Sequence, residues 1–182
     1  MTFRPLPTST RARLVVVAAA GVIMVLLWRM LAPAAVSTPK TIDSLPRHDT
    51  GYWFQLAERV REGAADDPRL GTTAAAAYGR TARPTPTLGV LAAVIKVGRG
   101  PDIVSSVVNA LSGSGVSLGP RVAAPEGKHG GTFECGSASF GADSGTYCVW
   151  WTKGALGMAL VNGLDPVAAR ALALKARNAT QR

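Results

Sequence analysis

The stretch ECGSASFGADSGTYC, residues 134–148, gathers hydroxyl, carboxyl and thiol side chains within 15 positions and holds both cysteines of the chain. Two chemistries suit such a set: acyl transfer at a serine, or covalent closure of a loop. A nucleophile elbow needs G-x-S-x-G at a strand-to-helix turn, with a histidine in reach of the serine. In GADSG the serine, Ser144, has the wrong spacing and falls where a hairpin tip is expected. Nothing in the sequence positions His129 against it. No catalytic residue is assigned, and the chain is expected not to be an enzyme.

Covalent closure fares better. A two-residue turn at Gly141 and Ala142, with glycine first as a type II′ turn requires, sets Phe140 opposite Asp143, Ser139 opposite Ser144 and Ser137 opposite Thr146. The same register sets Cys135 opposite Cys148 and Phe133 opposite Trp150. Two cysteines brought together by a simple hairpin in an exported chain predict a disulfide, worth roughly 3 kcal/mol by loop closure. A metal site is not expected, because two cysteines, the distant His48 and His129 and the absence of C-x-x-C do not make a ligand set. No cofactor is expected.

On the face away from Cys148, Tyr147, Val149 and Trp151 alternate. If helices cover only the Cys148 face, this row is an exposed apolar patch and a candidate contact surface. Alternation alone equally allows it to be the core. The remaining motifs have plainer readings. GSGVSLG, with Gly113 and Gly115, follows a helix instead of opening one and lacks the P-loop lysine. GKHG at 127–130 precedes a strand, unlike the helix-joining loop of KH modules. Asp66 and Asp67 before Pro68 suit a turn, Glu134 and Asp143 lie at different heights of the hairpin, and the Asn178-Ala179-Thr180 sequon is incidental.

The elements that must carry these residues follow from periodicity. In TGYWFQLAERVREGAA, Trp53, Leu56, Ala57 and Val60 recur at helical spacing. TTAAAAYG is a weak strand, RTARPTPT a turn, and LGVLAAVIKV, residues 88–97, an apolar run typical of a buried central strand. Ile103, Val104, Val107, Val108 and Leu111 share one helical face after Pro101, and Gly113 suits the stop. A short strand within 116–123 and three strands in GTFECGSA, GTYCVWWT and ALGMALVN come next. Asp165-Pro166 opens a last helix as N-cap and N1, with Val167, Ala168, Ala171 and Leu174 as its buried stripe. The predicted class is α+β, a single mostly antiparallel sheet with helices on one face.

The N-terminus indicates compartment. Arg4, Arg11 and Arg13 precede 15 residues without a polar side chain, positions 14–28, an export signal. As a helix these span roughly 22 Å, short of the ~30 Å hydrocarbon core, but apolar character resumes after Arg29 through Val36, and Arg29 and Trp28 suit the interface. The expectation is a single-pass anchor at 14–36 with residues 1–13 cytoplasmic and the rest outside the cell membrane. Ala32-Pro33-Ala34 as a signal-peptidase site, giving a secreted protein, is the alternative. Residues 37–69 read as a linker with a short helix, its Ser37–Arg47 part lifting the domain off the membrane, and 70–182 as the extracytoplasmic domain.

Beyond the N-terminal segment, 16 Lys and Arg face 11 Asp and Glu. These cations form no contiguous stripe, which argues against nucleic acid as a partner. Arg170, Lys175, Arg177 and Arg182 lie along the last helix. The stretch FECGSASFGADSGTYCVWWTKGALGMAL resembles a group of uncharacterised exported or membrane-anchored actinobacterial proteins, in which Cys-Gly is followed by a second cysteine, a nearby tryptophan and a glycine-containing apolar strand. The resemblance implies fold and compartment for about residues 70–178 and brings no activity. Trp151-Thr152-Lys153 departs from the small residue and acid that tend to follow the tryptophan there. The functional expectation is a membrane-anchored, non-enzymatic domain acting on a protein or envelope partner. Its rival is an extracytoplasmic small-ligand sensor with a concave, partly polar cavity between sheet and helices.

Overall fold

The computed structural model describes residues 34–80, 87–113, 116–140 and 143–181. The expectations placed on residues 1–33, on the Pro-rich turn at 81–86, on Gly115 and on the Gly141-Ala142 turn lie outside the described residues. A small hairpin comes first, β1 (Thr41–Ile42) and β2 (Leu45–Pro46), turning through Asp43 and Ser44 with positive φ. Then follow α1 (Gly51–Ala65), β3 (Leu70–Tyr78), β4 (Leu88–Ile95), α2 (Gly100–Gly113), β5 (Val116–Leu118) and β6 (Val122–Ala123). A 3-10 turn at Gly127–His129, β7 (Thr132–Phe140), β8 (Asp143–Trp151), β9 (Ala155–Asn162) and α3 (Pro166–Thr180) complete the order.

Seven strands form one antiparallel sheet in the order β3-β4-β9-β8-β7-β5, with β6 also on β7. The protein is α+β, as the element pattern implied. The β7–β8 register is the expected one at every named pair, from Phe140 opposite Asp143 through Cys135 opposite Cys148 to Phe133 opposite Trp150. The two sulfurs are 2.12 Å apart, a disulfide pair.

The helices do not share one face, which corrects the expected layering. α3 packs over Phe133, Cys135, Cys148, Trp150, Ala159 and Val161. On the other face α2 packs over a core holding Tyr147, Val149, Leu156 and Met158, and α1 lies on β3 and β4. The reason is in the strands themselves: β8 is buried at five successive residues, 146–150, and β9 at 155–159. Strands buried without alternation are sandwiched. Trp150 and Trp151, adjacent and on opposite faces, each need a cover.

Two further expectations are corrected. The 37–47 segment is not a free tether, and the folded unit begins at Ala34, inside the 14–36 span expected of the anchor, rather than at 70. Val36 bridges to Gln181, Ser37 N–H donates to the Thr180 carbonyl at 3.0 Å, and the Tyr78 hydroxyl donates to the Pro39 carbonyl at 3.0 Å. Ile42 is buried and Lys175 pairs with Asp43 at 2.7 Å. Burial pushes the Tyr78 phenol up to about 12, so it stays a donor at any ordinary pH. The segment's scattered apolar residues, Val36, Ile42 and Leu45, are too few for a periodic signal, yet each finds a place on the sheet or α3.

α3 starts as expected, with the Asp165 carboxylate accepting from Val167 N–H at 2.9 Å and Ala168 N–H at 3.0 Å. Its buried stripe is Ala169, Leu172, Ala173, Ala176, Arg177 and Thr180, and Val167 is 75% exposed. In an alanine-rich helix two neighbouring stripes have the same spacing, and the sheet takes the one whose small residues allow close approach. Arg177 is fully buried. Its guanidinium donates to the carbonyls of Glu126 and Gly130 and stands 5.8 Å from the Phe133 ring. Burial pulls its pKa down, but a guanidinium remains charged.

His129 lies in the loop that Arg177 holds. Burial first, then Lys128 and Arg177, lowers its imidazole pKa below the ordinary value. With the folded pKa depressed, the unfolded chain takes up the proton first. Stability is therefore complete above the unfolded value, about 6.5, and declines as pH falls from there toward the folded one. Urea midpoints at pH 8 and pH 5 are expected to drop more in the wild type than in His129→Gln. Equal drops would contradict this role for His129.

Candidate functional site

The row proposed as a contact surface is interior. Tyr147 and Val149 are 2% and 1% exposed, and Trp151 is half-buried. The Tyr147 hydroxyl donates to the Gly119 carbonyl at 2.7 Å, while its ring lies where a Cβ on Gly136 would fall. Trp151 packs against Gly100, where a Cβ would sit 2.6 Å from the indole. α2 begins over the half-buried end of the row. Neither face of β8 is the exposed surface of the contact-patch reading.

The acids and motifs set aside in the sequence do structural duties. Glu134 pairs with Arg121 at 3.4 Å. Asp67 holds Arg69 through two carboxylate oxygens and also accepts from the Arg69 N–H. The Arg69 guanidinium keeps the Asp67 carboxyl below the usual carboxylate range. Among the described residues there is no cluster of three or more His, Cys, Asp or Glu that could hold a metal.

What periodicity did not reveal is a cleft. α1 lies along β3 and β4, tied down where the Thr73 hydroxyl donates to the Arg61 carbonyl at 3.3 Å. α2 runs on the same face but over β5, β8 and β9, held by Ile103 and Val104 at 0% and 2% exposure. Between the two helices the sheet is left open over a volume of about 420 Å³. Leu91 and Met158, directly paired across β4 and β9, line it together with Leu70. One wall is Val60, Gly63 and Ala64 of α1, ending at Asp67, and the other is Ser106, Val107 and Leu111 of α2.

The chemistry of the cleft is one-sided. Asp67 is committed to Arg69, and the Ser106 hydroxyl donates to the Asp102 carbonyl at 3.1 Å. Hydrogen bonds of this i to i−4 kind satisfy a helical serine locally. What remains for a guest is aliphatic surface with a glycine gap in the wall, in the size range of small-molecule pockets. Nothing in the lining provides a nucleophile next to a base. A sequence signal existed in principle: Gly63 interrupts the apolar face of one helix, and the second helix has more apolar surface than one sheet contact consumes.

Comparison of the chain with protein-family models, with curated proteins and with solved structures finds no match.

Proposed function

We propose that the chain is a single-pass, membrane-anchored extracytoplasmic domain that binds an apolar ligand, non-enzymatically, in the cleft between α1 and α2. The anchor, the orientation with Arg4, Arg11 and Arg13 inside, and the kinship with exported actinobacterial proteins come from the N-terminal pattern and the Cys-Gly to Cys-x-Trp stretch. The cleft carries the binding half. It supports a ligand-binding role over contact through a flat apolar patch, because the row named for that patch is packed under α2. It is more apolar than the sensor reading expected, which narrows the guest to an aliphatic chain or ring system.

Gly63 provides the test. A Cβ there meets nothing within 4 Å, its φ is not positive, and the position lines the cleft. The Cβ of a leucine there has open space, Gly63→Leu is expected to occupy the cleft, and replacing a helical glycine adds at most about 0.5–1 kcal/mol of stability. The probe is 1-decanol, added to the full chain in lipid nanodiscs. At a hundredfold excess over Kd, mass action raises the wild-type unfolding temperature by about 5–10 °C. Gly63→Leu is expected to start at or above the wild-type value and to show no shift. A wild type indifferent to decanol, or a variant that shifts equally, contradicts the cleft reading.

A further inference from the structure

We infer that the guest of the cleft is an aliphatic chain ending in a hydrogen-bond donor, a primary ammonium ahead of a hydroxyl, and that chains ending in a carboxylate are rejected. The inference rests on the apolar-ligand reading above and adds the polar end of the guest to it.

The lining holds acceptors and no free donor. Among the described residues that line the cavity there is no lysine, arginine or histidine, and the polar side chains are those of Asp67 and Ser106. The Ser106 hydroxyl donates its one proton to the Asp102 carbonyl, so its oxygen can only accept from a guest. The backbone is committed as well. Asp67 N–H goes to the Ala64 carbonyl at 3.3 Å, Leu70 N–H goes to the Asp67 carbonyl at 2.9 Å, and Leu91 and Met158 are paired in the ladder. Arg69, the cation bound to Asp67, is outside the lining and directs Nε and Nη2 at that carboxylate.

The acceptors gather at one end. Val60, Gly63, Ala64 and Asp67 are spaced i, i+3, i+4 and i+7, one face of α1 and of the turn that continues it. The Asp67 N–H that would close the last helical turn on the Gly63 carbonyl goes to Ala64 instead. Gly63 thus brings to the wall a carbonyl with no donor among the described residues. Carbonyls left over at a helix C-terminus carry partial negative charge and favour a cation. The positive end of α2 does not offset this, because the α2 wall starts at Ser106, more than a turn past Gly100, and the dipole effect fades within the first turn.

A carboxylate head at this end would lose water without gaining a donor, and would stand beside the ionised Asp67. An ammonium meets acceptors and the negative end of a helix, and a hydroxyl meets the acceptors alone.

The test titrates the full chain, methyl-¹³C-methionine labelled, in phosphatidylcholine nanodiscs at about pH 7.5, where decylamine is protonated and decanoate ionised. Decylammonium, 1-decanol and decanoate are compared by the free concentration, set by dialysis, that half-saturates the Met158 methyl shift. Decanoate is expected to need at least tenfold more than decylammonium, with decanol between them. In Asp67→Asn, which removes the like charge and leaves that of Arg69, the ratio is expected to fall to threefold or less. A wild type that takes decanoate as readily as decylammonium overturns the head-group inference and leaves the apolar cleft standing, and this comparison decides even if the variant does not fold. A ratio unchanged in folded Asp67→Asn overturns the assignment of the rejection to the Asp67 end. A Met158 methyl that none of the three moves overturns the cleft reading itself.

Discussion

Trp150→Ala is expected to cost about 3–5 kcal/mol of folding stability, the usual range for an excised core tryptophan. The indole is fully buried on the α3 face, 6.3 Å from the Phe133 ring centroid and tilted to it. Across the ladder it lies over Gly157, so close that any Cβ there would meet the ring and the Leu91 carbonyl. One large side chain thus fills the space that a glycine on β9 and the small residues of α3 leave open. Its neighbours, the disulfide on one strand pair and backbone on the other, cannot collapse into the void. Urea unfolding of the full chain measures this as a lowered midpoint at unchanged slope. A loss below about 1 kcal/mol, the scale of a surface change, would mean that this face is not the packed core described.

Arg177→Ala is expected to cost about 3–5 kcal/mol. Hydrogen bonds to a charged group contribute about 1.5–3 kcal/mol each, and Arg177 makes two to the carbonyls of Glu126 and Gly130. Removing the guanidinium leaves both acceptors without their donor and frees the loop from α3. Arg177→Lys should recover less than half, because one ammonium cannot reproduce a planar fork that reaches two carbonyls four residues apart. The same urea midpoints decide it. A lysine variant as stable as the wild type would show that charge alone, not the fork, holds the loop.

Legibility differed from element to element for physical reasons. The β7–β8 register could be read because turn geometry propagates along a hairpin residue by residue, and two cysteines check it. The start of α3 could be read because Asp165 and Pro166 act locally. The layering could not, although the adjacent apolar residues of β8 held the clue: a strand pattern states how much is buried, and only tertiary packing states what covers it. The stripe of α3 slipped because alanine satisfies two phases at once. Nothing in the sequence marked Arg177 as buried, because the carbonyls that receive its guanidinium belong to a glycine-rich loop about fifty residues earlier in the chain. The segment at 37–47 was taken for a linker because proline and polar residues dominate it, while one buried side chain, Ile42, and backbone groups such as the Pro39 carbonyl that accepts from the Tyr78 hydroxyl dock it.

The place and lining of the cleft escaped for a different reason. It is the space two helices fail to fill, and no residue in it is chemically conspicuous. Its size and lining emerge only when α1 and α2 are placed on the same face, an arrangement the one-face expectation did not specify.

Met158 gives the most direct view of that cleft. It lines the cavity beside Leu91, and it is the only methionine after Met30. With methyl-¹³C-methionine in the full chain, in nanodiscs, titration with 1-decanol is expected to move the Met158 methyl resonance saturably, and Gly63→Leu is expected to abolish the movement. A Met158 resonance that stays in place while decanol saturates the sample would contradict ligand binding between α1 and α2.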